Sequence, residues 1–125
     1  MTSDGIEVLV GETLTEVVGM APGSEEVLFT TASGKRFRMA HSQDCCESVS
    51  LEDVVGDPTA LVGHPLFVAR EDTNSDEVSR PVKDYVESWT WTFYSFATTR
   101  GWVVLRWLGQ SNGYYSERVD FSEVK

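Results

Sequence analysis

The stretch VLFTTASGKRFRM, residues 27–39, decides the fold class because it reads as two short strands joined by a tight turn. A three-residue hairpin loop that ends in a left-handed residue needs glycine at its last position, and Gly34 stands there. Such a loop places Phe29 opposite Phe37, whereas a two-residue loop would place Phe29 opposite Arg38. Because a shift of one residue exchanges the two faces of a strand, the apolar match favours the three-residue loop.

Two further loops in the second half of the chain, 99–101 and 111–113, also end in glycine. Read as three-residue loops, they predict a three-stranded meander with these cross-strand pairs: Phe93 with Trp107, Ala97 with Val103, Leu105 with Val119 and Val103 with Phe121. The opposite face of the meander keeps large apolar side chains, among them Tyr94, Phe96 and Trp102. A water-exposed face is normally polar, so we expect this face to be covered by the rest of the chain, by a partner or by a ligand.

Helix signals are scarce. Residues 57–63 predict one short helix, with Asp57 as N-cap, Pro58 in the first turn and Gly63 at the end. The sequence therefore predicts a mainly β fold, α+β at most. Two antiparallel meanders are expected to form a small sandwich or partly open barrel with one short helix.

The length of 125 residues fits a single domain, residues 1–125. Residues 71–81, which begin with the run EDTNSDE, predict a flexible acidic loop between its two halves. The net charge of −10 opposes binding along a phosphate backbone, so we expect no nucleic-acid partner. No apolar run is long enough to span a bilayer, and no basic region precedes the first apolar stretch, so neither a membrane partner nor secretion is expected.

The densest group of chemically reactive side chains lies in HSQDCCES, residues 41–48. Its candidate binding residues are His41, Asp44, Cys45, Cys46 and Glu47. A metal site is disfavoured because adjacent cysteines do not follow the C-x2-4-C spacing of zinc sites, and we predict no metal or cofactor. A Cys46 or Cys45 nucleophile beside His41 stays open, since an imidazole can stabilise a thiolate. So does a structural role, in which His41 continues the core-facing row of its strand and one cysteine packs inward. A disulfide between the adjacent cysteines is the least expected state, because its ring is strained.

A second group combines aromatic rings with arginine and a carboxylate. Its candidate binding residues are Trp102, Arg106, Tyr114, Tyr115 and Glu117, the last three in SNGYYSE, residues 111–117. Patches of this composition suit protein interfaces and planar ligands. An ordinary core edge with a hairpin turn is the alternative.

Three stretches together resemble a known family: HSQDCCESV at 41–49, ESWTWTFY at 87–94, and Arg106-Trp107 with SNGYYSE at 111–117. The family consists of small proteins of bacteriophages, especially those of actinobacterial hosts, and is a domain of unknown function. The resemblance implies a phage or prophage accessory protein in the host cytoplasm and transfers no catalytic residue.

The function expected from these observations is non-enzymatic binding. The partner would be a host protein, a second copy of the chain or a small ligand of unknown identity, bound through the aromatic face and the 41–47 loop. The alternative is a small hydrolase that depends on His41 and Cys45 or Cys46, with or without a metal ion.

Overall fold

A computed structural model describes residues 5–43, 46–74, 87–113 and 116–124. Within these ranges the chain forms eight strands and two short 3-10 turns, which are β1 Leu14–Val18, β2 Glu26–Thr31, β3 Arg36–Ala40, β4 Ser48–Val55, β5 Val68–Asn74, β6 Ser88–Thr98, β7 Gly101–Ser111 and β8 Asp120–Val124, with the turns at Ile6–Leu9 and Pro58–Leu61. None of the described helical segments is both long and apolar enough to cross a bilayer.

The described strands form two four-stranded antiparallel sheets. The first sheet has the strand order β1-β2-β3-β8, and the second has the order β4-β7-β6-β5. The sheets pack face to face and do not close into a barrel, so the predicted mainly β sandwich is confirmed. The predicted helix is a 3-10 turn at Pro58–Leu61. Asp57 caps it by accepting a hydrogen bond from the Thr59 amide at 3.0 Å.

The β2–β3 hairpin has the register that its glycine turn predicts. Phe29 pairs with Phe37 and Val27 with Met39. The Thr31 amide donates to the Lys35 carbonyl at 2.9 Å, which leaves three residues in the loop. Gly34 has a φ of +90°, the left-handed conformation that the turn requires.

The predicted register of the β6–β7 hairpin is wrong by one residue. Trp107 pairs with Thr92 instead of Phe93, and Val103 pairs with Phe96 instead of Ala97. Gly101 is the first residue of β7 and pairs with Thr98, so the loop has two residues. Thr98 fixes this turn, because its hydroxyl donates to the Ala60 carbonyl at 2.5 Å and accepts from the Arg100 amide at 3.1 Å.

The slip exchanges the faces of β6. Thr92, Tyr94 and Phe96 point into the sandwich, and Phe93 lies on the other side. The core between the sheets then gains Phe96, whose ring centroid lies 5.7 Å from that of Phe29 in the first sheet. The side chains of Trp102 and Arg106 on β7 point away from the core, as predicted.

The predicted pairing of β8 with β7 is also wrong. Strand β7 has β6 on one side and β4 on the other, and β8 joins the first sheet, where Phe121 pairs with Met39. Phe121 stacks on Phe37 with ring centroids 5.2 Å apart and planes at 7°. This aromatic contact stabilises β8 in the first sheet.

The acidic stretch is in part regular structure. Residues 71–74 belong to β5, where Glu71 pairs with Tyr94 and Thr73 with Thr92. The prediction of a loop is therefore wrong for residues 71–74, and residues 75–81 lie outside the described ranges. Strand β5 pairs with β6 along its whole length, although most of its side chains are polar.

The register of β6 predicts different losses of stability when its two phenylalanines, Phe93 and Phe96, are replaced. We expect Phe96→Ala to lower the free energy of unfolding by about 3–5 kcal/mol, because it empties a fully buried site. Phe93→Ala, on the outer side, should cost about 1 kcal/mol, the ordinary cost of a less buried substitution. Urea denaturation of both variants measures the difference. Equal losses would contradict the register.

Candidate functional site

His41 and Glu47 form a buried pair between the end of β3 and the start of β4. The His41 Nε2 lies 2.8 Å from the Glu47 Oε2, and the two side chains are 4% and 0% exposed. The His41 Nδ1 lies 2.6 Å from the Arg118 carbonyl oxygen. Gln43 donates from its amide nitrogen to the Glu47 backbone carbonyl at 2.8 Å and to its Oε1 at 3.1 Å.

The hydrogen-bond partners define what His41 can do. A carbonyl oxygen only accepts, so the Nδ1 carries a hydrogen and donates to Arg118. A proton must also lie between the Nε2 and the Glu47 carboxyl group, because an unprotonated nitrogen would otherwise face a carboxylate oxygen. Both ring nitrogens are thus engaged, which leaves neither available as a general base or metal ligand in this conformation.

The remaining members of the first motif give no support for a thiol nucleophile. Cys46 is exposed and disulfide-bonded, so it is neither the free thiol that this chemistry needs nor an inward-packed side chain. Asp44 and Cys45 lie outside the described residues. The described ranges contain no group of three or more histidine, cysteine, aspartate or glutamate residues that could hold a metal ion.

Glu117, in the second motif, is also a buried carboxylate. Its Oε1 accepts a hydrogen bond from the Thr90 hydroxyl at 2.9 Å, and its Oε2 accepts one from Ser111 at 2.5 Å. Gly109 makes room for this arrangement, because a Cβ there would lie 2.4 Å from the Glu117 carbonyl oxygen. Tyr114 and Tyr115 lie outside the described residues.

Residues 116–119 connect the two motifs. The Glu117 side chain faces β6 and β7, while the carbonyl of the next residue, Arg118, accepts the hydrogen bond from His41. The structure therefore brings His41, Glu47 and Glu117 to one short segment, just before β8.

One polar groove lies beside the His41–Glu47 pair, and a second lies beside residues 116–119. The first measures about 580 Å³ and is lined by Glu25, Glu26, Arg38, His41, Gln43, Glu47, Ser48 and Val49. Arg38 and Glu26, both in this lining, form an ion pair. The second measures about 290 Å³ and is lined by Glu71, Thr73, Thr90, Thr92, Ser116, Glu117, Arg118 and Val119.

A hydrogen bond marks one end of the second groove. The Tyr94 hydroxyl donates to the Glu71 Oε1 at 2.6 Å. Burial of the phenol and this contact with a carboxylate raise the pKa of Tyr94 well above its ordinary value, so Tyr94 stays a neutral donor.

Trp102 and Arg106 lie elsewhere, on the outer face. We define the outer face as the side chains of β4 to β7 that point away from the first sheet. Trp102 is 57% exposed. The Arg106 guanidinium lies 4.9 Å from the Trp91 ring centroid and 3.3 Å from the Asp53 carboxylate. The predicted candidate residues thus divide between the inter-sheet segment and this face.

Sequence reasoning missed the partners of these groups. Thr90 and Ser111 hold Glu117, and the Arg118 backbone holds His41. An available signal was the small, hydroxyl-bearing side chains in the alternation of β6, which are unusual on a face directed at a core. The Arg118 carbonyl carries no sequence signal.

The comparison with protein families bears on both motifs. A profile described as a domain of unknown function, DUF7448, matches residues 7–121. The chain belongs to the DUF7448 family. The predicted resemblance to an uncharacterised family is confirmed at that level, and its bacteriophage and actinobacterial origin stays a prediction. Neither the curated proteins nor the solved structures gave a match.

The buried pair predicts a large coupling between His41 and Glu47. Glu47→Ala should lower the free energy of unfolding by about 3–5 kcal/mol, because it leaves the buried histidine without its partner. The double variant, His41→Leu with Glu47→Ala, should cost less than the sum of these two single changes. A double-mutant cycle from urea denaturation measures this coupling.

An exposed ion pair supplies the control. Arg70 and Asp72 lie 3.1 Å apart with side chains 69% and 57% exposed, so Asp72→Asn should cost at most about 1 kcal/mol. Additive losses at His41 and Glu47 would contradict the buried pairing.

Proposed function

We propose that this protein is a phage-encoded accessory protein of the host cytoplasm that acts without catalysis, by binding a host protein through its outer face. The exposed Trp102 ring carries the proposal. Tryptophan is among the residues most enriched at energetically dominant interface positions, and leaving a large ring in water is otherwise unfavourable.

The surroundings of Trp102 have the composition of an interface. Val104 lies two residues along β7 on the same face, paired with Val55, which is 54% exposed. Arg106 continues the row, and arginine with aromatic rings is enriched at interface centres. The ion-paired Arg70 and Asp72 lie farther out on β5, with β6 between them and the row.

Charge favours a basic partner over a second copy. The charged side chains in these ion pairs of the second sheet are matched, Arg106 with Asp53 on β7 and β4, and Arg70 with Asp72 on the edge strand β5. The whole chain nevertheless carries a net charge of −10, so two copies repel each other while a basic protein is attracted. We therefore expect a host protein with an apolar contact centre and a basic rim.

The alternative Cys/His hydrolase gains no support from the geometry. It requires a free imidazole nitrogen and a free thiol. Both nitrogens of His41 have partners, and Cys46 is disulfide-bonded.

Affinity capture from an actinobacterial host lysate tests the proposal, followed by measurement of Kd with the purified captured protein. We expect Trp102→Ala to weaken binding by about 2 kcal/mol, roughly 30-fold, as for an interface hot spot. Val18→Ala is the matched control, since Val18 is 49% exposed but lies on β1 of the other sheet.

Equal binding by both variants would show that the outer face is not the contact. A dimer of the chain itself that Trp102→Ala dissociates, seen by light scattering, would replace the host protein by a second copy.

A further inference from the structure

The turn that follows β7 contains an asparagine directly before a glycine, Asn112-Gly113. In such a pair the backbone nitrogen of the glycine can attack the side-chain amide carbon of the asparagine, because no Cβ on the glycine obstructs the approach. The five-membered ring that forms, a succinimide, opens in water to aspartate or isoaspartate. The glycine nitrogen must lose its proton to become a nucleophile, so a base within reach of it sets the rate.

Gly113 has the space and the exposure that this reaction needs. Its φ is +90°, and among the described residues a Cβ built there would meet only the Ser88 side chain, at 3.9 Å. Asn112 and Gly113 are both exposed, so water can reach the ring and ammonia can leave. The succinimide ring can therefore form without displacing the described neighbours.

A chain of hydrogen bonds leads from the Gly113 amide to a buried carboxylate. The Gly113 N–H donates to the Ser111 Oγ at 3.0 Å, and the Ser111 hydroxyl donates to the Glu117 Oε2 at 2.5 Å. Serine hydroxyls often bond a backbone amide two residues away in turns. The buried carboxylate behind this hydroxyl, with its other oxygen held by Thr90 at 2.9 Å, makes the contact a route for a proton.

We propose that Asn112 is a self-modification site, at which the folded protein converts its own asparagine to aspartate and isoaspartate. The Gly113 proton passes to the Ser111 Oγ as the proton of that hydroxyl moves to Glu117. The Gly113 nitrogen bonds to the Asn112 Cγ, and the bond from Cγ to the side-chain nitrogen breaks. The proton held by Glu117 returns to the departing nitrogen, which leaves as ammonia, and water then opens the succinimide.

The product differs from the original chain in charge and in backbone length. Either acid adds one negative charge to the turn, and isoaspartate also inserts one backbone carbon between β7 and residues 116–119. The Arg118 carbonyl in that segment accepts the hydrogen bond from His41, so the modified turn leads directly into the junction of the two sheets. The site does not depend on the outer face or on a host partner.

Incubation of the purified protein at neutral pH, followed by peptide mapping with mass spectrometry, tests the proposal. We expect Asn112 in the native wild type to be converted about tenfold faster than in a synthetic peptide of residues 109–119, because the peptide does not hold the carboxylate in place. Asn74, the other asparagine of the chain, precedes a serine and should stay intact over the same period. Conversion in the native protein that is no faster than in the peptide would overturn the site.

Two variants interrupt the hydrogen-bonded chain at different points. Ser111→Ala removes the hydroxyl that carries the proton, and Glu117→Gln removes the base with little change of shape, so each should slow conversion about tenfold. Glu16→Gln, the same charge change on exposed β1 of the other sheet, should leave the rate unchanged. Equal rates in the wild type and all three variants would contradict the proton route.

The pH dependence separates proton transfer from a merely structural role of Glu117. In the peptide, hydroxide takes the Gly113 proton, so the rate should rise in proportion to hydroxide concentration. In the native protein the carboxylate takes it, and the rate should be nearly constant around neutral pH. Glu117→Gln should restore the steep dependence, whereas Thr90→Val, which removes the other hydrogen bond of Glu117, should keep the flat one. A steep dependence in the wild type would overturn the proposal, whatever the stability of the variants.

Discussion

The hydrogen bonds of His41 are the constraint on which the rest of the structure depends. One imidazole joins three separate parts of the chain: the end of β3, the start of β4 through Glu47, and the segment before β8 through the Arg118 carbonyl. Both chain crossings between the sheets are thereby fixed at one point. Glu117 stands one residue before Arg118 and is therefore held close to this junction. A residue expected to carry chemistry thus has a structural role at the junction of the two sheets.

The fold class and the β2–β3 hairpin are predicted correctly from the sequence. The register of β6–β7 and the partner of β8 are not, and the strength of the local alternation explains the difference. In β2–β3 all the large apolar residues except Leu28 lie on one face, so a slip would bury Arg38, and the register is decided locally. In β6 both faces carry large apolar or aromatic side chains, and the alternation gives no decision. The outcome there depends on a distant contact, the Thr98 hydroxyl on the Ala60 carbonyl, which no local pattern encodes. The partner of β8 was likewise set by Phe37, far away in the chain.

The candidate site was recoverable in part for the same reason. The two motifs were visible as groups of reactive side chains, and the structure does bring His41, Glu47 and Glu117 to a common segment. Whether such groups are free or engaged depends on partners from other strands. Thr90 and the Arg118 carbonyl supplied those partners: the threonine left a weak signal in the alternation of β6, and the carbonyl left none. The distinction between a catalytic histidine and a structural one therefore lay in tertiary contacts.

The pairing of β8 with β3 joins residues that stand far apart in the chain, such as Met39 and Phe121. During synthesis the first sheet can form only its β1–β3 part until residues 120–124 have left the ribosome. Until then the Phe37 ring lacks the aromatic neighbour that covers it in the finished protein, and the open edge of β3 is free to pair with other chains. Closing so long a loop is slow, which makes the last strand a late event in folding. Truncated or stalled chains of this protein are therefore expected to aggregate through β3.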